Sequence, residues 1–519
     1  MIEDMRTFAN EDLPEFDICI VGSGPAGLSI AHEFLNGDNR AGPKICIVES
    51  GGEKRKSKAQ ALNTGRIVGD VYAPLQESRR RQVGGTANTW GTELGRGEIG
   101  IMYSPLDPID FKSRKSIHSG WPVPPESLDP FFDRAQSLCG SGPFTYQAGA
   151  WETPDAKSLP FTPHRLKGKA YQFGVRSRFT NDLLHKVRTH PNVTLFFNAT
   201  VQELLPDPAG GAIKEAVIGT FGGSSRKISA RVFVLAAGGI ENARLLLLSN
   251  RKFPAGLGNG HDLVGRFFMD HPIVRSGALV LNPGISLSGL GFYDLREVRG
   301  HRAMGSIVFT ESLLEAEGLL NISTFLLPRG RLFGSRSAVY SAKQLANAFR
   351  PGVKTADLGM HVRRVSINFP DLVLSVLRKL AGIKPPLPGI GRGGWSTCPK
   401  AENQFSHIEV QHAVEQTPHP ENRLMLDDSR DAFGQPRSRL HWRWRSEDRR
   451  RIARAQIILK EEIEKTGIGL LKLENDNGDP QVIGSSKHHH IGTTRMSETP
   501  ELGVVDQNCR VHGLRNLYA

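Results

Sequence analysis

Near the end of this 519-residue chain, His488-His489-His490 run into Ile491-Gly492-Thr493-Thr494-Arg495-Met496. A neutral imidazole titrates near the pH at which most enzymes work. A histidine placed at a reacting centre can therefore take a proton, a contribution of roughly 10²–10⁴-fold. The bland alternative is that one or more of the three packs or hydrogen-bonds, and for His488 and His490 that is the expectation. No metal site is expected, because consecutive residues on an extended chain point to opposite sides and no further ligand cluster accompanies them. Near the start, Gly22-Ser23-Gly24-Pro25-Ala26-Gly27 spells a dinucleotide fingerprint. Gly22 makes the tight turn, Gly24 lets the backbone approach a pyrophosphate, and Gly27 lets helix and strand pack closely. Together the two segments predict a flavin held by the first, with a histidine base brought to it by the last.

The fingerprint needs a strand before it and a helix after it. Phe16-Asp17-Ile18-Cys19-Ile20-Val21 is apolar and β-branched, as a buried parallel strand is. Leu28 to Leu35 reads as a helix with Leu28, Ile30, Ala31 and Phe34 apolar. The N-terminus of that helix offers N–H groups and partial positive charge to phosphates. A second apolar strand, Lys44-Ile45-Cys46-Ile47-Val48, ends in Glu49, at the spacing of a ribose-binding carboxylate. Two further segments of small residues suit close backbone approach to a ligand. They are Gly84-Gly85-Thr86-Ala87-Asn88-Thr89-Trp90-Gly91, and Ala236-Ala237-Gly238-Gly239 after the strand-like Arg231–Leu235. No second GxGxxG marks a separate nicotinamide domain. One dinucleotide used along the whole chain, a tightly bound FAD, is therefore predicted.

These segments, with Gly120-Trp121-Pro122, Ala236–Leu247, Asp262–Pro272, Pro420–Leu426 and His489–Tyr518, resemble the glucose–methanol–choline oxidoreductase family over almost the whole length. The branch is closest to bacterial sugar and glycoside dehydrogenases, which are similar to pyranose oxidase. The resemblance and the pattern of the chain together predict an α/β fold. A Rossmann-like FAD-binding domain is expected over 13–120, 165–275 and 480–519, and an α+β substrate-binding domain on a mostly antiparallel sheet over 276–479. Residues 121–164 form a connecting arm.

The resemblance also implies a reaction. Such enzymes oxidise an alcohol carbon by passing a hydride to flavin N5 while a histidine takes the hydroxyl proton. In the family that histidine stands three residues before the glycine of the Gly-Thr pair, which here is His489. Gly22, Gly24 and Gly27 are expected at the pyrophosphate and Glu49 at the adenosine ribose. Gly84, Gly85, Thr86, Asn88 and Trp90 are expected along the flavin, with Ala237 and Asp506 near the cofactor. There are two departures. Where the flavin is covalent, a histidine directly precedes the tryptophan of the second glycine loop; Thr89 precedes Trp90 here, so the FAD is expected to be non-covalent. Family members also continue beyond the position of Ala519 and there supply a second catalytic His or Asn, so a chain cut short is expected. The substrate implied is a sugar or glycoside hydroxyl, with oxygen, a quinone or a cytochrome as acceptor. Competing readings are a dehydrogenase or oxidase of a sterol, choline-like or aliphatic alcohol, a flavin monooxygenase that consumes NAD(P)H, and a flavin-binding chain without turnover.

Hydrophobic residues at 39% and charged residues at 23% describe a globular protein. No stretch approaches the roughly 20 apolar residues of a membrane span, and Met1–Arg6 lacks a charged-then-apolar export signal. Five cysteines, Cys19, Cys46, Cys139, Cys398 and Cys509, are scattered and odd in number, so a reducing cytoplasm is expected, with export alongside a partner subunit left open. The net charge of +13 is dispersed, with short basic runs at 54–58, 79–81 and 449–451 and no nucleic-acid motif. A basic solvated surface is expected, with attraction to acidic lipid or an acidic electron acceptor as the alternative. Phe405–His412 alternates, and His407, Glu409 and Gln411 on one of its faces are candidates for a substrate floor. Asn422-Arg423-Leu424 and Asp431–Gly434 read as a strand and turn of the same sheet. His271, at the crossing between domains, is expected to be structural. Asp371–Ala381 reads as a short helix with a stripe of Leu372, Val373, Val376, Leu377 and Leu380, ended by Gly382. It is expected to pack on the substrate domain, or else to form a subunit or peripheral membrane contact.

Overall fold

Strands buried on both faces read as continuous apolar runs, and the fingerprint region folds accordingly. The computed structural model describes residues 1–7, 13–35, 42–95, 98–114, 120–223, 225–330, 336–349, 358–367, 369–381, 393–398, 405–476, 479–484 and 488–519. In it Phe16–Val21 pairs in parallel with Ile45–Val48 on one side and with Arg226–Leu235 on the other. The sheet runs in the order Ile2–Asp4, Val193–Phe197, Ile45–Val48, Phe16–Val21, Arg226–Leu235, Ile213–Gly219, Thr200–Pro206. Near the C-terminal end, Leu517–Tyr518 pairs with Phe233 and Val234, past the point where Ile213–Gly219 leaves that strand. Helix Pro25–Leu35 and the turn-and-helix Arg178–Thr189 cover one face, where Leu28, Ala31, Phe179 and Val187 bury Ile18, Ile20, Ile45 and Ile47. Helix Gly238–Leu248 packs on the other face with Ile240, Ala243 and Leu246.

The second layer is an eleven-stranded antiparallel sheet with Ile273–Leu281, Phe405–Val414, Ile322–Gly330, His301–Phe309 and Leu166–Val175 as its middle. It reaches beyond residues 276–479. Leu166–Val175 and Glu98–Tyr103, expected on the FAD side, continue this sheet because Leu166–Val175 takes the edge of His301–Phe309 that would otherwise be unpaired. Asp479–Gly484 likewise pairs with Ile273–Leu281. Arg423–Arg430, expected in the large sheet, belongs instead to a three-stranded sheet with Pro436–Trp442 and Gly65–Gly69. The reason is local. The Asp431 carboxylate accepts from the N–H groups of Phe433 and Gln435, closing a tight hairpin, and Gly65–Gly69 takes the hairpin's other edge.

Helix Ser446–Lys465 lies within the stretch expected to form an α+β domain on a mostly antiparallel sheet, where no helix was expected at this place. Its sequence supports it: Glu447 and Asp448 occupy the first turn, where the helix dipole favours acids. Ile452, Ala455, Leu459 and Ile463 recur at helical spacing and are fully buried against the large sheet. The short helix near 371–381 is present as Phe369–Leu380. Its apolar face does not pack inward, since Val373, Val376, Leu377 and Leu380 are all exposed. Gly382, the expected end, lies outside the described residues.

Candidate active site

The glycine loops form one cradle. Ser23 Oγ donates to Glu49 at 2.8 Å and accepts from the N–H of Gly84 at 3.2 Å, joining the fingerprint, the second strand's acid and the second glycine loop. Gly85 has φ of +54°, and a Cβ there would sit 2.6 Å from Gly24 Cα. Above Gly24 there is room, for a Cβ on it would meet only Gly85 Cα at 3.9 Å. That gap, at the start of helix Pro25–Leu35, suits a pyrophosphate. Glu49 is 5% exposed and accepts from Gly51 N–H at 2.8 Å as well as from Ser23. Burial pushes its carboxyl up, against the pull of those hydrogen bonds. A carboxylate has about four lone-pair sites, so acceptor capacity remains for a ribose hydroxyl. The chain therefore fits a dinucleotide on an observation of its own backbone.

Charge pins the second glycine loop in place. Glu241, on helix Gly238–Leu248, lies 3.3 Å from Arg79 and 2.6 Å from Arg81 at the loop's base, and 2.9 Å from Arg244. Burial raises the Glu241 carboxyl, but the charges of Arg81, Arg244 and Arg79 outweigh it and hold the group well below its usual range. Removing one partner of such a buried set costs about 3–5 kcal/mol.

The histidine segment is stitched to both layers. Met269 and Ile491 exchange backbone hydrogen bonds at 2.9 and 3.1 Å, and Gly265 N–H reaches Thr493 carbonyl at 2.8 Å. Thr493 Oγ1 donates to the Gly239 carbonyl. Only glycine serves at 492, where φ is +97° and a Cβ would fall 1.9 Å from the Phe267 carbonyl oxygen. One carboxylate, Asp270, then sets the histidines. Its Oδ1 accepts from the N–H of His271 at 2.8 Å and of His489 at 3.3 Å. Its Oδ2 accepts from Tyr72 hydroxyl at 2.6 Å and His488 N–H at 3.1 Å. With both backbones held, His271 Nε2 meets His489 Nδ1 at 2.6 Å. His271, expected to be structural, thus touches the expected base. His490 behaves as expected: it is packed against Phe268, with ring centroids 5.5 Å apart, and burial pushes it down to about 3, so it stays neutral.

His489, His271 and Asp270 line a cavity of about 650 Å³ that opens between the two layers. The lining also takes in residues of the antiparallel sheet, residues 102–110, and Gly120-Trp121. Polar side chains cluster there. Asp107 pairs with Lys169 at 2.5 Å, and Asn321 Nδ2 donates to Asp107 at 3.1 Å and Asp110 at 3.3 Å. Burial, then the charges of Glu415 and Asp107, push the Asp110 carboxyl up to about 6. Met102, Leu106, Val308 and Phe325 are among the apolar residues that make up much of the lining.

Several expected site residues are placed elsewhere. His407, Glu409 and Gln411 do not line this cavity. Glu409 is 3% exposed and lies 2.7 Å from Arg329 and 3.5 Å from Arg275, while Gln411 turns to Glu409. They share one face of their strand with the cavity-lining Ala413, and Gln411 pairs directly across from Phe325, yet none of the three joins the lining. The Asn88 amide donates to the carbonyls of Val83 and Gly85, holding its own loop. Asp506 accepts from Asn508 and Arg510 within its own turn. Thr86 Oγ1 accepts from Arg80 N–H at 3.4 Å, and Trp90 meets Phe179 edge-on at 5.2 Å. Ala237 caps helix Gly238–Leu248 beside Gly22, whose Cβ would lie 3.1 Å from Ala237 Cα. Sequence reasoning missed Asp107, Asp110, Asn321, Tyr72 and the role of Asp270. Only Asp270 carried a signal, its place beside His271 in the crossing segment.

Residues 418–519, which include the histidine segment, match the family model described as GMC oxidoreductase. Over 49 residues the chain is 53% identical to the fructose dehydrogenase large subunit of Gluconobacter japonicus, a match spanning 9% of each chain. It is 22% identical to the 2-methyl-1,2-propanediol dehydrogenase of Mycolicibacterium austroafricanum over 97% of this chain and 89% of that one. It is 24% identical to the paromamine 6'-oxidase of Streptomyces fradiae over 48% of this chain and 53% of that protein, so the chain spans about half of that relative's length.

Proposed function

We propose that the chain is a flavoprotein of the glucose–methanol–choline oxidoreductase kind, built around FAD as the match of residues 418–519 supports, and that it oxidises a CH–OH group of a sugar or glycoside. Bound non-covalently in the Gly22–Gly27 and Gly84–Gly85 cradle, FAD supplies the hydride acceptor. The chain's own residues do the rest. His489 takes the hydroxyl proton. For its Nε2 to act as the base, its Nδ1 carries the other proton and donates it to His271 Nε2, the bond seen at 2.6 Å. His271 is then a positioning residue that fixes tautomer and ring orientation, held in turn by Asp270. A contribution of about 10²–10⁴-fold is the ordinary worth of such a base.

The observation that carries the substrate reading is the shared cavity. A histidine pair shares the lining of one cavity with carboxylates and an amide, Asp107, Asp110 and Asn321. Several convergent donors and acceptors suit a substrate with several hydroxyls, since each substrate hydroxyl that a site hydrogen-bonds raises discrimination against analogues lacking it. Relatives named for fructose and paromamine share parts of the chain. The relative named for 2-methyl-1,2-propanediol keeps a small diol as the rival substrate.

The test is anaerobic. The FAD-loaded chain is mixed with sugars and glycosides, with 1,2-diols and sterols, and with NADPH, while flavin absorbance is followed. Bleaching by a sugar, slowed by about 10²-fold or more in His489→Ala with flavin content kept, is the expected outcome. Bleaching by diols or sterols alone moves the substrate class, and bleaching by NADPH rejects the reading in favour of a monooxygenase.

A further inference from the structure

Helix Phe369–Leu380 turns its apolar side outward. Phe369, Val373, Val376, Leu377 and Leu380 fall at i, i+4, i+7, i+8 and i+11, one face of a helix. All five are exposed, from 39% at Val373 to 79% at Leu380. The neighbouring helix Leu358–Ile367 exposes Leu358, Val362 and Ile367, and Phe349 before it is 90% exposed. These nine are nine of the 21 exposed large apolar side chains among the described residues. Globular proteins scatter such residues singly; a cluster of this kind marks a contact.

Charge says what the contact is. Residues 336–384 hold nine lysines and arginines and two aspartates, so this short stretch carries seven of the chain's +13 net charges. A second copy meeting it across a two-fold axis would bring this basic stretch against itself, with like charges opposed. An anionic bilayer opposes it with the complementary sign, and an exposed apolar helix face flanked by basic residues is the pattern that lies flat in a lipid interface. Among the described residues no helix is long and apolar enough to cross a membrane, so the contact is with the surface. We propose that helices Leu358–Ile367 and Phe369–Leu380 dock this protein on an anionic lipid surface, the apolar helix face entering the headgroup boundary and the basic residues of this stretch holding it there.

The experiment sediments the full FAD-loaded chain with vesicles of phosphatidylcholine alone and of phosphatidylcholine with phosphatidylglycerol. Binding is expected on the anionic vesicles only, and is expected to fall as salt rises, because each basic residue near the surface is worth about a fivefold factor that salt screens. Arg363→Glu should weaken binding about tenfold or more, and the pair Val376→Asp with Leu377→Asp should abolish it. Melting temperature and substrate turnover stay those of the parent, since these side chains are exposed. Hydrogen exchange on the parent chain gives an independent reading, with protection of 358–380 on anionic vesicles expected. Equal sedimentation with both vesicle types, unaltered binding by the variants, or no protection of 358–380 would each overturn the proposal. A parent dimer in equilibrium sedimentation that the aspartate pair dissolves, with no vesicle binding, would replace the bilayer by a second copy.

Discussion

Asp270 accepts from three backbone N–H groups and one tyrosine hydroxyl, and the histidine pair depends on it. It orders two segments that meet only in the folded chain, so its effect on the site exceeds that of any one bond. Asp110 does different work in the same cavity. Its carboxyl titrates at about 6, raised by burial and by Glu415 and Asp107. Below that pH it is a donor as well as an acceptor; above it, an acceptor only. The expected consequence is an inflexion near pH 6 in kcat/KM for a hydroxylated substrate, missing in Asp110→Asn while other inflexions remain. An inflexion that survives the substitution would remove Asp110 from substrate recognition. His489 was indicated through the family resemblance, by its place three residues before Gly492. Asp110 carried no such signal, because an acid in the stretch between the second glycine loop and the connecting arm shows nothing of the carboxylates that will surround it.

At the scale of elements, strand Phe16–Val21, helix Pro25–Leu35 and strand Ile45–Val48 follow from periodicity and glycine placement alone. Both partners of each contact lie within a few dozen residues, so local pattern suffices. The glycine loop at 84–91 was legible as small residues, but its seat on Gly24 was not. That seat makes a sharp prediction. Gly85→Ala puts a Cβ 2.6 Å from Gly24 Cα, at a φ of +54° that costs a non-glycine residue about 1–2 kcal/mol. The two loops must part, and FAD should be retained at least about tenfold less tightly, each 1.4 kcal/mol being tenfold. Flavin absorbance after gel filtration measures it, and a variant that keeps its full flavin shows the cradle to lie elsewhere. Helix Ser446–Lys465 was missed although its apolar spacing is regular, because the strands around it set the reading of the whole stretch.

Across the whole molecule, the large sheet buries groups that no local pattern exposes. His412 is 1% exposed, with Nδ1 2.8 Å from Thr324 Oγ1 and Nε2 lacking a hydrogen-bond partner. Burial pushes it down to about 3, against about 6.5 in an unfolded chain. The unfolded state therefore binds the proton first as pH falls. Stability is full above about 6.5 and is lost progressively below it, at up to about 1.4 kcal/mol per pH unit from this one group. His412→Gln has no proton to take up, so its melting temperature should fall less than the parent's between pH 7 and 5. Parallel curves would show that His412 is solvated or charged in the fold.

By itself the sequence determined the glycine fingerprint and the acid at the end of the second strand, because both rest on short-range spacing that backbone geometry obliges; His489 was indicated only through the family resemblance. Tertiary structure decided which histidines meet, which carboxylates face them, where strands Glu98–Tyr103 and Leu166–Val175 pair, and that the face of helix Phe369–Leu380 looks outward. Those outcomes depend on contacts between residues far apart in the chain, and on which surface is left once the core is full. An apolar stripe reads the same whether it packs inward or faces out.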